Sequence, residues 1–319
     1  MSVSSSKPPK AFSQLWFLGV LRHNSRSTGP RQAVLRDNDK IMMHFIRNMA
    51  DSDIAAVDAI LMAAHLVQSS YATILRRNFH LTRDCWWVLE QDGTTIGVVG
   101  ATDFGSFAHI GLMAIHPSHQ SGGTGSNLLR YALDQLDQRG FDSITLYSTD
   151  AGLAFYPRHG FVWQGISTEW KLRKRKSHSR HYTISATTDL ERIVVVDRTI
   201  FGGNRLALLE ALEAEAPGRI LIAEDTAGAI QGFIVAQPKV LGPYMALSKQ
   251  AAADLLDAAL DLEYDGETRV ALPDAHADAE SLMAEAGFVP VRTSRYFIRG
   301  KTPAQQRHLM YGQAAYSLG

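Results

Sequence analysis

The chain has a single cysteine, no net charge and no long apolar run. Cys85 cannot form an internal disulfide, which favours a reducing compartment, and its place beside Trp86 predicts a buried, inert thiol. Acidic and basic residues number 32 each, which excludes a general attraction to nucleic acid or membranes. No segment reaches the length of a transmembrane helix. With 319 residues and 45% hydrophobic content, we expect a cytoplasmic globular protein with room for two domains.

Residues 1–40 differ in composition from the rest of the chain. They are rich in Ser, Pro, Lys and Arg, and no acidic residue precedes Asp37. This composition is compatible with a mitochondrial-type transit segment, which would make the protein mitochondrial. A disordered or extended N-terminal tail is the preferred interpretation.

The most informative segment joins a strand to a helix through a glycine-rich turn. An apolar run from Ile110 to Ile115 stops before Pro117, and an amphipathic helix begins near Gly125. The first N–H groups of a helix have no intrahelical partner, and the helix dipole adds positive potential. This arrangement therefore predicts a phosphate-binding turn. Its spacing is neither that of the dinucleotide-binding G-x-G-x-x-G motif nor that of a Walker loop.

The turn, Gln120-x-x-Gly123-x-Gly125, resembles the Q/R-x-x-G-x-G/A signature of the GNAT superfamily of acyl-CoA-dependent N-acyltransferases. Further on, the segment 151–161 resembles the family's A-x-x-x-Y-x-x-x-G-F closing motif. The elements predicted around the turn follow the family order, including a hairpin at Asp92-Gly93 and a strand at 143–148. The resemblance implies an α/β (α+β) GNAT domain over 41–172, with a mixed central sheet flanked by helices.

The resemblance also implies a site for acetyl-CoA as cosubstrate, without a metal. The pantetheine arm would pair with strand residues Met113, Ala114 and Ile115, as an added strand does. The pyrophosphate would bind the loop residues Gln120, Ser121, Gly122, Gly123, Thr124, Gly125 and Ser126. Tyr156 would be the general acid that protonates the leaving thiolate, and Asp150 a weak cofactor contact. Pro157, directly after Tyr156, departs from the commoner family pattern.

The general base is not evident from the sequence. Glu90, Asp103, His109 and His116 lie on or beside the strands expected to face the acceptor, and we take Asp103 and His109 as candidates. Asp103 also fits a turn residue, and His109 also fits a hydrogen-bonded core histidine. A water chain in place of a single residue is the remaining alternative.

The second half of the chain weakly repeats the first. A hairpin around Gly228, a helix from Ser248 to Leu260 and the pair Gly287-Phe288 follow the same order, but the Q-x-x-G-x-G signature is absent. The segment 241–246 resembles the C-terminal domain of a two-domain bacterial GNAT group, the YitH-like proteins. This resemblance implies a C-terminal GNAT-like domain at 183–319 that helps form the acceptor pocket and binds little or no CoA.

Two further features of this half have open interpretations. Residues 173–182 form a basic run, interpreted as a solvated linker, with a nucleic-acid patch as the alternative. Asp197, Arg205 and Tyr244 are the polar residues of interest there, and each is equally compatible with an ordinary cap or ion pair.

Together these features predict an N-acetyltransferase. The acetyl group of acetyl-CoA would pass to a primary amine of a small molecule or a protein by direct attack on the thioester. The alternative is an inactive acyl-CoA-binding or sensor protein with a GNAT fold. We expect no nucleic-acid or membrane partner, and the sequence leaves the acceptor and the oligomeric state open.

Overall fold

The structure, a computed structural model, describes residues 31–37, 40–176, 180–273 and 276–319, with side chains from His44 onward. The transit-segment and tail hypotheses for residues 1–30 lie outside the described residues, as do residues 177–179 of the basic run. Residues 31–37, which belong to the predicted tail, form a strand, β1 (Arg31–Asp37).

The N-terminal half, residues 31–172, follows the predicted order of elements. After β1 its elements are β2 (Lys40–Asn48), α1 (Ile54–His65), α2 (Ala72–Leu81), β3 (Trp86–Gln91), β4 (Thr94–Asp103), β5 (Ala108–Ile115), α3 (Thr124–Gln138), β6 (Ser143–Ser148) and β7 (Val162–Leu172). Asp92 and Gly93 both have positive φ, which a tight hairpin turn of this kind requires. Gly140, with φ +84°, follows the end of α3, where glycine adopts a left-handed conformation without strain.

The C-terminal half, residues 183–319, repeats this order and adds a short strand. Its elements are β8 (Thr183–Ala186), α4 (Leu190–Phe201), α5 (Leu206–Glu215), β9 (Ile220–Glu224), β10 (Ile230–Ala236), β11 (Leu241–Ala246), α6 (Lys249–Ala259), β12 (Arg269–Pro273), α7 (Ala277–Ala286), β13 (Phe288–Gly300) and β14 (Met310–Gly312).

The two halves exchange strands. One sheet has the order β1-β2-β3-β4-β5-β6-β13-β7-β12, and the other has the order β14-β11-β10-β9-β8. Strand β13 is antiparallel to both β6 and β7, and β7 is antiparallel to β12. A strand of each half therefore lies between two strands of the other, and residues 31–319 form one compact unit.

Helices cover both faces of the first half's sheet. On the α3 face, Leu128, Leu129 and Leu133 pack with Ile110, Leu146 and other apolar residues. On the α1–α2 face, side chains from α1 and α2 pack on Trp86, Leu112 and Ala114. Because successive side chains of a strand point to opposite faces, the two faces of β5 and β6 carry different chemistry.

The described part of the basic run is mostly exposed, and two of its arginines pair with acidic residues at the end of α6. Arg175 and Arg180 both form ion pairs with Asp257 and Asp261, and Arg175 also donates to the Leu260 carbonyl. These contacts occupy two of the charges that a nucleic-acid patch would use.

Candidate active site

A gap opens between β5 and β6. The two strands pair in parallel only where residues 108–110 meet residues 144–146. Beyond Ile110, β5 keeps its antiparallel partner β4 but pairs with none of the described residues on the β6 side. Gly111 forms a bulge at this point, and a side chain there would collide with the Ser317 carbonyl oxygen. The C-terminal segment, residues 301–319, can approach the apex of the gap because residue 111 is glycine.

The edge of β5 in this gap presents free backbone groups. His116 donates its N–H to the Ile96 carbonyl on β4, so the alternation of an antiparallel pair turns the N–H and C=O groups of Met113 and Ile115 toward the gap. The Ile115 carbonyl accepts from Gln120 Nε2 at 2.9 Å. An extended amide-bearing arm can therefore pair with Met113 and with the N–H of Ile115.

The glycine turn leaves the start of α3 uncapped by any side chain. Gly122 and Gly123 have φ of +65° and +79°, a conformation that glycine adopts without strain. Thr124 donates to the Ser121 carbonyl. The backbone N–H groups of Gly122, Gly123, Gly125 and Ser126 make no hydrogen bond to any of the described residues. These groups and the helix dipole form an anion cradle beside the gap.

Cationic side chains stand next to this cradle. His159 Nε2 lies 3.2 Å from Ser126 Oγ, and Arg130 donates to Asn127 Oδ1. Burial, Arg130 and Arg158 together lower the pKa of His159. Arg130 and Arg158 therefore add positive charge near the start of α3, where a phosphate would bind.

Tyr156 lies on the α3 face, beside the end of β6. Its half-buried ring contacts the rings of Phe155, Phe161 and Phe297, with centroids 5.2 to 6.1 Å apart. A side chain at Gly152 would collide with this ring and with Ser148 Oγ. The Tyr156 hydroxyl makes no hydrogen bond to the described residues, and burial raises its pKa to about 12. The phenol therefore keeps its proton at neutral pH.

Pro157 is accommodated by a change in local structure. Residues Tyr156–His159 form a 3₁₀ turn with Phe155 as its N-cap, so Pro157 sits in the first turn, where no backbone donor is needed. The segment that resembles the closing motif therefore folds as two 3₁₀ turns, Asp150–Gly152 and Tyr156–His159.

The candidate bases lie in unlike surroundings. Asp103 is exposed beside Ala108, and its carboxylate accepts the Gly105 N–H at 2.6 Å. His109 is 1% exposed at the apex of the gap, with Nδ1 2.8 Å from Thr145 Oγ1 and Nε2 3.0 Å from the Tyr316 carbonyl oxygen. Burial lowers the pKa of His109 to about 4, so the ring is neutral at neutral pH.

The other candidates are also engaged. Glu90 accepts from Arg47, and His116 Nδ1 lies 2.7 Å from Ser118 Oγ. Asp150 is exposed and pairs with Arg295 at 3.2 Å. Cys85 is fully buried, and burial raises the pKa of its thiol to about 12, in agreement with an inert role.

Sequence reasoning missed a polar cluster at the apex on the α1–α2 face. Tyr147 follows Leu146, the last residue of β6 that pairs with β5, and its hydroxyl oxygen accepts from Gln313 Nε2 and from Arg307 Nη1. The rings of Tyr296 and Tyr316 lie 4.9 and 5.6 Å from the Tyr147 ring. Three of these residues come from the C-terminal segment, and no local pattern signals such distant contacts.

In the second half, the corresponding positions are closed. Strand β14 pairs with β11, and Gln313 N–H donates to Ala271 on β12. Ser248 Oγ accepts from the Ala251 N–H and caps α6. Asp197 and Arg205 form a fully buried ion pair and Tyr244 donates to the Ala252 carbonyl, so the three polar residues of interest have structural partners.

Comparisons with known proteins agree with this architecture. Residues 55–161 match the profile of the Acetyltransferase (GNAT) family, and residues 193–312 match that of the Acetyltransferase (GNAT) domain. Together the matches span more than half of the chain, which therefore belongs to the GNAT acetyltransferase family as a tandem two-domain member. Members of this family are acyltransferases, and the GNAT fold generally binds acetyl-CoA. No curated protein matches the chain in sequence.

Solved structures share the fold. A putative acetyltransferase from Pyrococcus horikoshii superposes with a TM-score of 0.78 at 21% identity, covering 89% of this chain and 99% of its own. GCN5-related N-acetyltransferases from Sphaerobacter thermophilus and Anabaena variabilis give TM-scores of 0.61 and 0.59, both at 14% identity. They cover 82% and 80% of this chain and 98% and 72% of their own.

Two searches of the described residues were negative. In the ranges that the structure describes, no helix has the length and apolar character to cross a membrane. Among the same residues, no group of three or more His, Cys, Asp or Glu side chains is arranged to hold a metal ion.

Proposed function

We propose that the protein is an N-acetyltransferase that moves the acetyl group of acetyl-CoA to a primary amine. The observation that carries this proposal is the coincidence of an open β5 edge with an uncapped helix start in one half of the molecule. The first suits an extended pantetheine arm, and the second suits a pyrophosphate. The catalytically inactive acyl-CoA sensor is the weaker alternative, since a free phenol also borders the gap.

The chemistry is a direct transfer. Once the amine is neutral, its lone pair attacks the thioester carbonyl carbon and forms a tetrahedral intermediate. The nitrogen, now positively charged, gives a proton to water, and the C–S bond breaks to release the amide and the CoA thiolate. Tyr156 donates its proton to the departing sulfur, which a phenol that stays protonated is able to do. The N–H of Met113 or Ile115 and the α3 dipole stabilise negative charge on the bound ligand.

The proton of the acceptor ammonium most readily leaves through water. The carboxylate of Asp103 is engaged in a turn beside Ala108, and His109 is buried with both ring nitrogens hydrogen-bonded. Of the two proposed bases, His109 is the nearer to the apex and Asp103 the more exposed. Both assignments remain proposals, as does a water chain.

The second half would serve as a scaffold and line the acceptor side. The boundaries 41–172, 173–182 and 183–319 remain our proposal for the two domains and their connection, and the exchanged strands β7 and β13 join them. A cytoplasmic location is also part of the proposal, because the chain's single cysteine, Cys85, is buried and unpaired. We propose acetyl-CoA and an amine as the partners, with no nucleic-acid or membrane partner and no metal.

Calorimetric titration with acetyl-CoA tests the site, with Gly123→Glu as the disrupting variant. We expect one site per chain in the wild type, and at least about a 100-fold weaker affinity in the variant because a carboxylate would occupy the anion cradle. Two sites would contradict the closed second half. A wild-type protein that does not bind acetyl-CoA would sink the transferase proposal.

Tyr156→Phe tests the acid. We expect kcat to fall about 100-fold with the Kd of acetyl-CoA unchanged, because only the proton donor is removed. Tyr131→Phe is the matched control, since Tyr131 is a half-buried tyrosine of α3 on the same face. Equal kcat in the two variants would remove Tyr156 from the mechanism.

A further inference from the structure

The two faces of the gap apex differ in chemistry. On the α3 face, Ile110, Leu146 and Phe297 are buried in the apolar core. On the α1–α2 face, Tyr147 and Tyr296 are register partners, and Tyr316 stands beside Tyr147. A polar acceptor can therefore approach the apex only along the second face, which the C-terminal segment borders.

Two arginines line this approach. Arg307 lies over the Tyr296 ring, with Cζ 4.2 Å from the centroid, and donates to Tyr147 at 3.2 Å. Arg292 Cζ lies 5.4 Å from the Tyr316 ring centroid. The charge of Arg292 also reaches the last residue of α1, His65, where it adds to burial in lowering the pKa of this side chain. A neutral His65 adds no positive charge to that of the two guanidinium groups.

The acidic groups nearby are already engaged. Glu169 is buried and accepts from Arg269 through Oε1 and from Arg292 through Oε2. Asp58 accepts from the Tyr71 N–H and from Ser70 Oγ. The Arg292 side chain is 59% exposed, and its Nη1 makes no hydrogen bond to the described residues. The approach is thus electropositive and keeps a guanidinium donor for an incoming anion.

We propose that the acceptor is a small primary amine that also carries an anionic group, a carboxylate or a phosphate, which binds Arg292. This inference rests on the proposed function. The amine reaches the apex beside Tyr147 while the anion stays at Arg292. The Tyr316 ring centroid lies 5.6 Å from the Tyr147 ring centroid and 5.4 Å from Arg292 Cζ. These distances leave room for a short flexible chain between the amine and the anionic group. A second cation in place of the anion would meet like charge.

Matched acceptors of one chain length test the proposal by steady-state kinetics. Aminocaproate ends in a carboxylate, hexylamine in a methyl group and hexamethylenediamine in a second ammonium, while aminohexyl phosphate tests the phosphate arm. We expect kcat/KM for the better anionic acceptor to exceed that for hexylamine at least about 10-fold, with the diamine poorest.

Arg292→Gln assigns the effect to this residue. We expect it to raise KM for the preferred anionic acceptor about 10-fold with kcat little changed, and to leave hexylamine unaffected. Glu169 keeps Arg269 as a partner in this variant, so the fold is retained. Arg198→Gln, which removes an exposed arginine of α4, is the control and should change neither acceptor.

The outcomes separate this inference from the proposed function. Failure to bind acetyl-CoA overturns the proposed function. Normal binding with hexylamine as good an acceptor as the anionic amines, or an equal loss for all acceptors in Arg292→Gln, overturns the inference alone. If acetyl-CoA binds but no amine is acetylated, binding of the two anionic amines to the CoA complex is measured by calorimetry. At least one of them must bind more weakly to Arg292→Gln than to the wild type; otherwise the inference is wrong.

Discussion

The two halves of the molecule treat the same strand edge in opposite ways. In the first half, the edge of β5 beyond Ile110 faces a gap. In the second half, Tyr244 and Met245 of β11 pair with β14, which also contacts β12. A pantetheine arm and a protein strand cannot use one edge together, so the chain's own strand takes the place in the second half that a ligand would take in the first.

The helix that follows each edge differs in the same sense. In the first half, α3 begins after Gly123, which has no side chain to satisfy the free N–H groups. In the second half, Ser248 Oγ accepts the Ala251 N–H at 3.1 Å. An N-terminal serine stabilises a helix by about 1 kcal/mol, whereas a glycine leaves donors for a ligand. This difference in capping supports our proposal that only the first half binds CoA.

The segment that closes the second half also builds the first. After β14, Gln313 donates to Tyr147, the Tyr316 carbonyl faces His109, and Ser317 lies against Gly111. The second half therefore holds the C-terminal segment in place, and this segment shapes the apex of the open gap. We propose that the first fold carries the ligand site and that the second fold is its platform.

The largest effect that we expect comes from His109, which is 1% exposed at the open apex and contacts the Tyr316 carbonyl oxygen. Folding lowers the pKa of His109 from 6.5 to about 4, so the unfolded chain binds more protons between these values. The free energy of unfolding should therefore fall as the pH falls from 6.5 to 4, by up to about 3 kcal/mol.

Urea unfolding of wild type and His109→Gln at pH 7 and at pH 4.5 measures this term. The variant, whose amide does not titrate, should lose most of the difference between the two pH values. His308→Gln, at an exposed histidine, is the control and should keep the wild-type difference. Parallel behaviour of the two variants would contradict a neutral, buried His109.

The next largest effect on the free energy of unfolding is expected from two matched substitutions, Gly312→Ala and Gly125→Ala. At Gly312 in β14 a Cβ would lie 2.9 Å from both the Leu241 carbonyl oxygen and Val270 Cγ2, whereas at Gly125 in α3 the nearest atom is 3.6 Å away. Gly312→Ala should cost about 2 kcal/mol by overpacking, and Gly125→Ala should gain about 0.5 kcal/mol by removing glycine from a helix. Thermal and urea unfolding measure both. A neutral Gly312→Ala would mean that β14 is only loosely seated.

Much of the open site was predictable because its signals are local. The positive-φ glycines, the apolar run of β5 and the amphipathic α3 are read within a few residues of one another, and the structure has them as expected. The second half's order of elements, including the helix that Asp189 caps, was predictable for the same reason.

What could not be predicted depends on pairing across the chain. The pair Gly287-Phe288 marks the start of β13 but does not say that this strand lies between β6 and β7. Three residues, Met310–Gly312, are too few to show a strand period, and the contact from His109 to Tyr316 spans 207 residues. The polar apex is therefore a product of tertiary structure.

The smallest effect that we expect distinguishes the two features that close the second half, the Ser248 cap of α6 and the pairing of β14 with β11. Ser248→Ala removes the α6 cap and should cost about 1 kcal/mol, while Ser248→Gly should cost only a few tenths and leave the helix start as open as that of α3. We expect acetyl-CoA still to bind one site in both variants, by calorimetry, because β14 continues to occupy the edge of β11. A second equivalent bound by Ser248→Gly would show instead that the serine alone excludes the ligand, and that β14 yields to a pantetheine arm once the anion cradle is free.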